Sequence, residues 1–227
     1  MIYICGGLMR TGSIAMWQVM DEIAQVAGGQ SPMLGTELNE VLSLWRDIRL
    51  TDNPLLVTKL HRYEKDLDRY DKHIKVVLTV RDFRDVVVSL LHFKGTTFEN
   101  EMHSRAYTTW LDSYKSWYES IHAFNVMEIR YEDFIANRKE TILKVAKFME
   151  ISLDDVSAGH IDNKWSIASN IRRSTESHAV NTKEFMAERH IYSKGESKWK
   201  KELTVAQVEH IMTPEMTQWL EEHGYTD

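Results

Sequence analysis

Apolar positions along the chain follow two alternating periods. Ile2-Tyr3-Ile4-Cys5 is a continuous apolar run, and residues 55–60 (LLVTKL) and 74–80 (IKVVLTV) have the same form. Each predicts a buried strand, and 126–130 (VMEIR) predicts another. Between these runs the spacing changes to three and four. Residues 13–27 (SIAMWQVMDEIAQVA) predict a helix stopped by Gly28-Gly29, 36–48 a second with Thr36 near its N-cap, and 84–93 a third. A short charged helix is expected between the strands at 55–60 and 74–80. In 105–122, Tyr107, Trp110, Leu111, Tyr114, Trp117, Tyr118 and Ile121 make one apolar stripe, read as core. In 138–149, Ile142, Ala146 and Met149 face one way while Glu140, Lys144 and Lys147 face the other.

Strands alternating with helices predict an α/β fold with a P-loop-type parallel sheet flanked by helices on both faces. No repeat or Pro/Gly/Ser-rich linker interrupts it, so residues 1–227 are expected to form one domain. In such a sheet, ligands bind at the carboxyl ends of the strands.

Composition narrows the partners. Net charge is −6 and no basic block stands out, so nucleic acid is not expected as the main partner, although local arginines still admit an anionic ligand. Cys5 is the single cysteine, so no intrachain disulfide can form, and its place in the first strand reads as core. There is no signal-like start and no run near the ~20 apolar residues of a membrane span. The expectation is a soluble, cytoplasmic protein with no membrane partner.

Three strand ends carry candidate chemistry. The first strand runs into "CGGLMRTGS", where Gly7 and Gly12 have the spacing of a phosphate-binding loop, but Ser13 stands where the usual lysine would follow. The charge sits mid-loop instead, as Arg10. Backbone N–H groups and a helix start could cradle a phosphate, with Thr11 and Ser13 adding hydroxyls; an ordinary glycine turn would look similar. The 74–80 strand ends in Arg81, which suits an anion, with Ser89 two helical turns on. Alternatively Arg81 pairs with Asp82 or Asp85. The strand at 55–60 leads to Lys59 and His61, alternate residues that share one face. His61 can act as a general base or be structural.

In chain order, "MRTGS", "TKLH", "VVLTVRDFRDVVVSLLHF", "IRYEDF" and "KGESKWKKELTVAQVE" resemble the sulfotransferases that use 3′-phosphoadenosine 5′-phosphosulfate (PAPS). The resemblance implies a sulfuryl transfer from PAPS to a hydroxyl, less readily an amine, of a small-molecule acceptor. The product would be adenosine 3′,5′-bisphosphate (PAP), and no metal would be needed. It implies that Arg10, Thr11, Gly12 and Ser13 hold the 5′-phosphate, with Arg10 near the oxygen bridging phosphorus and sulfur. Arg81 and Ser89 would hold the 3′-phosphate, Tyr131 would lie near the adenosine, and His61 with Lys59 beside it would serve catalysis.

There are departures from the pattern. Ile14 replaces a common loop hydroxyl, and Ala15 stands where the family has an adenine-stacking tryptophan. Trp17 and Trp165 are the alternatives for that role, Trp17 being equally readable as core. Ser193 replaces an arginine, leaving Lys194 and the backbone of Gly195 for the 3′-phosphate, unless that stretch is a solvated turn. Lys200, Thr204, Val205 and Glu209 match the family's dimerisation motif, implying a homodimer; Thr204 and Gln207 also read as a capping box. Two other classes remain in view. A small-molecule kinase using ATP and Mg²⁺ is disfavoured by the absent loop lysine and absent strand-end aspartate. A nucleotide-binding protein without catalysis is disfavoured by Arg10, Lys59 and His61 occurring together. The acceptor would be shaped by 31–50, 94–104 and 166–192.

Overall fold

The computed structural model describes residues 1–31, 37–51, 54–104, 112, 115–117, 119–120, 122, 124–176 and 197–225. Strands β1 (Ile2–Gly6), β2 (Leu56–Leu60), β3 (Ile74–Val80) and β4 (Asn125–Arg130) form one sheet in the order β2-β1-β3-β4. All three pairings are parallel, with Cys5 beside Lys59, Gly6 beside Leu78 and Val80 beside Arg130. The four expected strands are therefore the strands found among the described residues. Since the chain moves from β1 to β2 on one side and then to β3 on the other, the order reverses beside β1. That crevice is where such sheets place ligands.

Parallel strands need long crossovers, and these cover both faces. Helix α1 (Ser13–Val26) follows β1, and α2 (Leu38–Ile48) precedes β2. A 3-10 segment at Lys65–His73, kinked at Tyr70, stands where a short charged helix was expected. Helix α3 (Phe83–Lys94) and the short α4 (Phe98–Met102) follow β3; α5 (Tyr131–Ala136) leaves β4 directly. Then come α6 (Arg138–Phe148), α7 (Asp155–Trp165), α8 (Ile167–Glu176), α9 (Trp199–Glu202), α10 (Val205–Ile211) and α11 (Pro214–Glu222).

One face of the sheet buries Ile4, Val76 and Val80 against α2, α3 and Trp219 of α11. The other buries Tyr3, Cys5 and Val77 against α1, α6 and α7. Ile142, Ala146 and Met149 are buried as their spacing predicted. Trp17 is wholly buried in the second layer, which decides its alternative readings in favour of core. Cys5 is buried too, and burial pushes its thiol up to about 12, so it is an inert apolar filler. The aromatic stripe lies largely outside the described residues, as does Thr36; Trp117 from that stripe is buried. Helix α2 starts at Leu38, with Glu37 at its N-cap and no side-chain cap. The capping box of Thr204 and Gln207 is present.

Candidate functional site

The carboxyl ends of the four strands deliver Gly6, Leu60, Val80 and Arg130 to one edge. A cleft opens there, and Arg10, Gly12, Ser13, His61, Arg81 and Tyr131 line it. Ser89, Ile14, Ala15 and Trp165 also face it. Ten residues singled out from the sequence for a ligand role or as departures from the family pattern are thus brought to one place.

The loop after β1 explains its own glycines. Gly12 has φ +84°, and a Cβ there would lie 2.6 Å from the Tyr131 ring. Gly7 has φ +129°, with a would-be Cβ 2.7 Å from the Thr79 carbonyl oxygen. Arg10 adopts φ 77° without glycine's freedom, a left-handed conformation that costs roughly 1–2 kcal/mol. Helix α1 starts at Gly12 with no side-chain cap and no acidic residue in its first turn. Its N–H groups and positive pole therefore point at the cleft, an arrangement suited to phosphate. Thr11 is turned the other way: its hydroxyl bonds the Leu8 carbonyl (2.8 Å) and Thr79 Oγ1 (2.7 Å), bracing the loop from behind. Ser13 Oγ lies 3.5 Å from the Leu8 carbonyl oxygen.

Two guanidinium groups meet beside this loop. Arg10 Nε donates to Ser89 Oγ at 3.0 Å, and its guanidinium lies over Phe93, 4.9 Å from the ring centre. Arg81 donates to the Arg10 carbonyl at 3.2 Å and stacks on Tyr131 at 4.4 Å. Burial first, and the positive charge of Arg81 second, lower Arg10 to about 10. A guanidinium whose charge is disfavoured by burial and by a neighbouring cation makes a site that an anion would relieve. Neither Asp82 nor Asp85 claims Arg81. Asp82 caps α3 and pairs with Arg84 at 2.9 Å, whereas Asp85 accepts from the backbone of Lys198 and Trp199. Glu132 lies 4.0 Å from Arg81 Nε, and Tyr225 donates to Glu132 at 2.6 Å.

His61 and Lys59 stand at the end of β2. Lys59 Nζ is 2.5 Å from His61 Nε2, and His61 Nδ1 is 3.3 Å from the Gly7 carbonyl oxygen. An Nδ1–H donating to Gly7 leaves Nε2 as the basic nitrogen. Burial, then the charge of Lys59, pushes His61 down to about 3; burial lowers Lys59 to about 8. The imidazole is consequently neutral near pH 7, the state a proton acceptor needs.

This has a consequence for stability. In the unfolded chain His61 would protonate near its ordinary value of 6.5, well above its folded value near 3. The unfolded state then binds more protons between those values, so stability is lost as pH falls through 6.5 toward 3. The urea midpoint of His61→Asn should decline less steeply than wild type between pH 6.5 and 5; parallel declines would refute a neutral buried His61.

Trp165 closes α7 beside the cleft, its Nε1 donating to Glu22 at 3.2 Å and its ring under Arg173 at 4.5 Å. Lys194 and Gly195 lie outside the described residues. Phe93, Ile135, Arg138, Ile167 and Asn170 also line the cleft, and none was singled out from the sequence. Arg138 alone carried a local signal, a cation in the first turn of a helix where the dipole disfavours it. Lys200, Thr204, Val205 and Glu209 are all exposed. Among the described residues no three His, Cys, Asp or Glu side chains are grouped as a metal site requires, and no helix is long and apolar enough to cross a membrane.

A parallel sheet with a glycine loop, an open helix start and paired arginines at the crevice defines a P-loop-type α/β architecture. The sequence model of the sulfotransferase domain matches residues 15–219, and the chain belongs to the sulfotransferase family. It is 25% identical over 169 residues to an amine sulfotransferase of Oryctolagus cuniculus, covering 68% of this chain and 51% of that protein. It is 31% identical over 158 residues to sulfotransferase 1A1 of Mus musculus, covering 62% and 54% respectively. The chain thus spans about half the length of these curated relatives. Among solved structures, mouse sulfotransferase SULT7A1 complexed with PAP has a TM-score of 0.59 at 17% identity, covering 97% of this chain and 82% of that one. Retinol dehydratase complexed with retinol and PAP has a TM-score of 0.58 at 13% identity, covering 97% and 80%. These likenesses establish the fold.

Proposed function

We propose that the protein is a sulfotransferase that moves a sulfuryl group from PAPS to a hydroxyl of a small-molecule acceptor. The observation that carries this reading is the convergence, in one cleft, of the Arg10/Arg81 pair and open α1 N-terminus with a neutral histidine. Two anion-binding features in one cleft suit a ligand with a phosphate at each end of its ribose. The retained Arg10, with its guanidinium and φ 77° backbone, takes the mid-loop charge position. PAPS supplies the activated sulfuryl group.

Once the Lys59 ammonium leaves it, His61 Nε2 takes the acceptor's proton as its oxygen bonds to sulfur, while the bond from sulfur to the phosphate oxygen breaks and its electron pair leaves with that phosphate. Arg10, always charged, neutralises the oxygen on which that charge collects. Lys59, beside His61, keeps the imidazole unprotonated until the acceptor arrives. Arg81 and Ser89 hold the second phosphate. The resemblance to an amine sulfotransferase keeps an amine acceptor as the second choice. Retinol dehydratase, which shares the fold, is complexed with androsterone and PAP and with retinol and PAP, which supports a small organic acceptor. Exposed Lys200, Thr204, Val205 and Glu209 are available to join two copies, and a cytoplasmic location is part of the same proposal.

A thermal-shift comparison of PAP, ATP with Mg²⁺, and AMP tests the reading. A ligand at 100 times its Kd adds about 2.7 kcal/mol. For a chain this long that is roughly 5–11 °C in Tm. PAP alone should give the shift; a shift with ATP and Mg²⁺ alone would instead indicate a kinase.

A further inference from the structure

Arg138 is the charged cleft residue that neither the loop nor the strand ends account for. It opens α6, where the positive helix pole works against a cation. Its position is nevertheless tightly specified. Nε donates to Asp162 at 2.6 Å, one terminal nitrogen donates to the Trp165 carbonyl at 2.9 Å, and the guanidinium lies over Phe134 at 4.5 Å. Its side chain is 11% exposed. Two nitrogens and one face are thereby occupied, so the third nitrogen and the opposite face are what Arg138 presents to the cleft it lines.

The surroundings indicate what it meets. Ala15, Ile135, Trp165 and Ile167 also line the cleft, apolar groups that suit a flat ring rather than a phosphate, and Trp165 is the residue whose carbonyl Arg138 bonds. The charge of Arg138 is already balanced by Asp162, whereas Arg10 and Arg81 reinforce each other's positive field at the phosphate loop. What Arg138 offers is a directed N–H donor on a rigid plane. We infer that Arg138 reads the base of the bound nucleotide, its third nitrogen donating to a ring nitrogen of a purine lying against this apolar wall. The inference rests on the nucleotide reading proposed above. Arg138 would then be a specificity residue for the cosubstrate, acting on the base and not on either phosphate.

Isothermal titration of PAP and of 1-O-methylribose 3,5-bisphosphate, which keeps the phosphates and lacks the base, separates these contributions. Arg138→Met should weaken PAP by about 10- to 100-fold, the value of one hydrogen bond from a charged donor. The base-free bisphosphate should bind both proteins equally. Arg138→Lys should fail to restore PAP affinity, having the charge without the plane. Equal losses for the two ligands, or no loss at all, would overturn the inference. Should Arg138→Met not fold, 1-, 3- and 7-deaza analogues of PAP decide the matter on wild type: one of them must show the same loss, and three unweakened analogues would refute it. A wild-type protein that binds no PAP would overturn the sulfotransferase reading itself, and this inference with it.

Discussion

His61→Ala is expected to lower turnover by about 10²- to 10⁴-fold while PAP affinity stays close to wild type. The split follows from position. His61 stands at the end of β2, outside the Arg10–Arg81 pair that would hold phosphate, and its ring contacts are Lys59 and the Gly7 carbonyl. Removing it deletes a proton acceptor without deleting a phosphate ligand. Its depressed basicity also fits a base used only in the complex. Burial and Lys59 hold the imidazole neutral, and negative charge arriving in the cleft raises its proton affinity again. Turnover and PAP titration on the same variant check this. A variant that kept most of its kcat would show that His61 is not the base. One that lost PAP binding would show that it props up the loop through Gly7.

The second large effect is expected from Gly12→Ala. A Cβ at Gly12 would sit 2.6 Å from the Tyr131 ring, and φ +84° is strained for any other residue type except in rare cases. Tyr131 cannot retreat cheaply, because Arg81 stacks on it at 4.4 Å. The substitution would therefore displace the start of α1, Tyr131 and Arg81 together. A destabilisation of about 1–3 kcal/mol is expected, within what a fold of this size tolerates. PAP affinity should fall at least about tenfold, since an altered loop misaims several N–H donors at once; ~1.4 kcal/mol is enough for that. Tm and PAP titration measure the two effects separately. Unchanged PAP affinity in a folded variant would mean that the ligand does not use this loop.

Much of the site was legible in the chain because its residues are fixed by local rules. An apolar run followed by glycines and a helix start forces a loop at a strand's carboxyl end, and Arg10, Arg81 and His61 each lie within a few residues of such an end. A parallel sheet then brings those ends together without further information. Side-chain direction was less legible. Thr11 reads as a phosphate ligand along the sequence, yet its hydroxyl is turned to Thr79, 68 positions away. Asp82 and Asp85 read as partners of Arg81, yet one caps α3 and the other holds the chain at Lys198 and Trp199. Trp17 and Trp165 were alike as candidates, and the packing of α1 against α6 and α7 buries both; Trp165 also lines the cleft, whereas Trp17 stays within the core layer.

By itself the sequence determined the four strands, their parallel arrangement, the helices α1, α2, α3 and α6, and the glycine loop after β1. Those features depend on continuous apolar runs, on the 3.6-residue period and on glycine backbone freedom, which act over a few neighbouring positions. The tertiary structure alone decided which side chains complete the cleft. Ile135, Arg138, Ile167 and Asn170 reach it from α5, α6 and α8, more than a hundred residues beyond the β1 loop they face. Beyond the cation that opens α6, no local pattern marks such a wall, because it is set by how helices pack on a sheet and not by the period of any one of them.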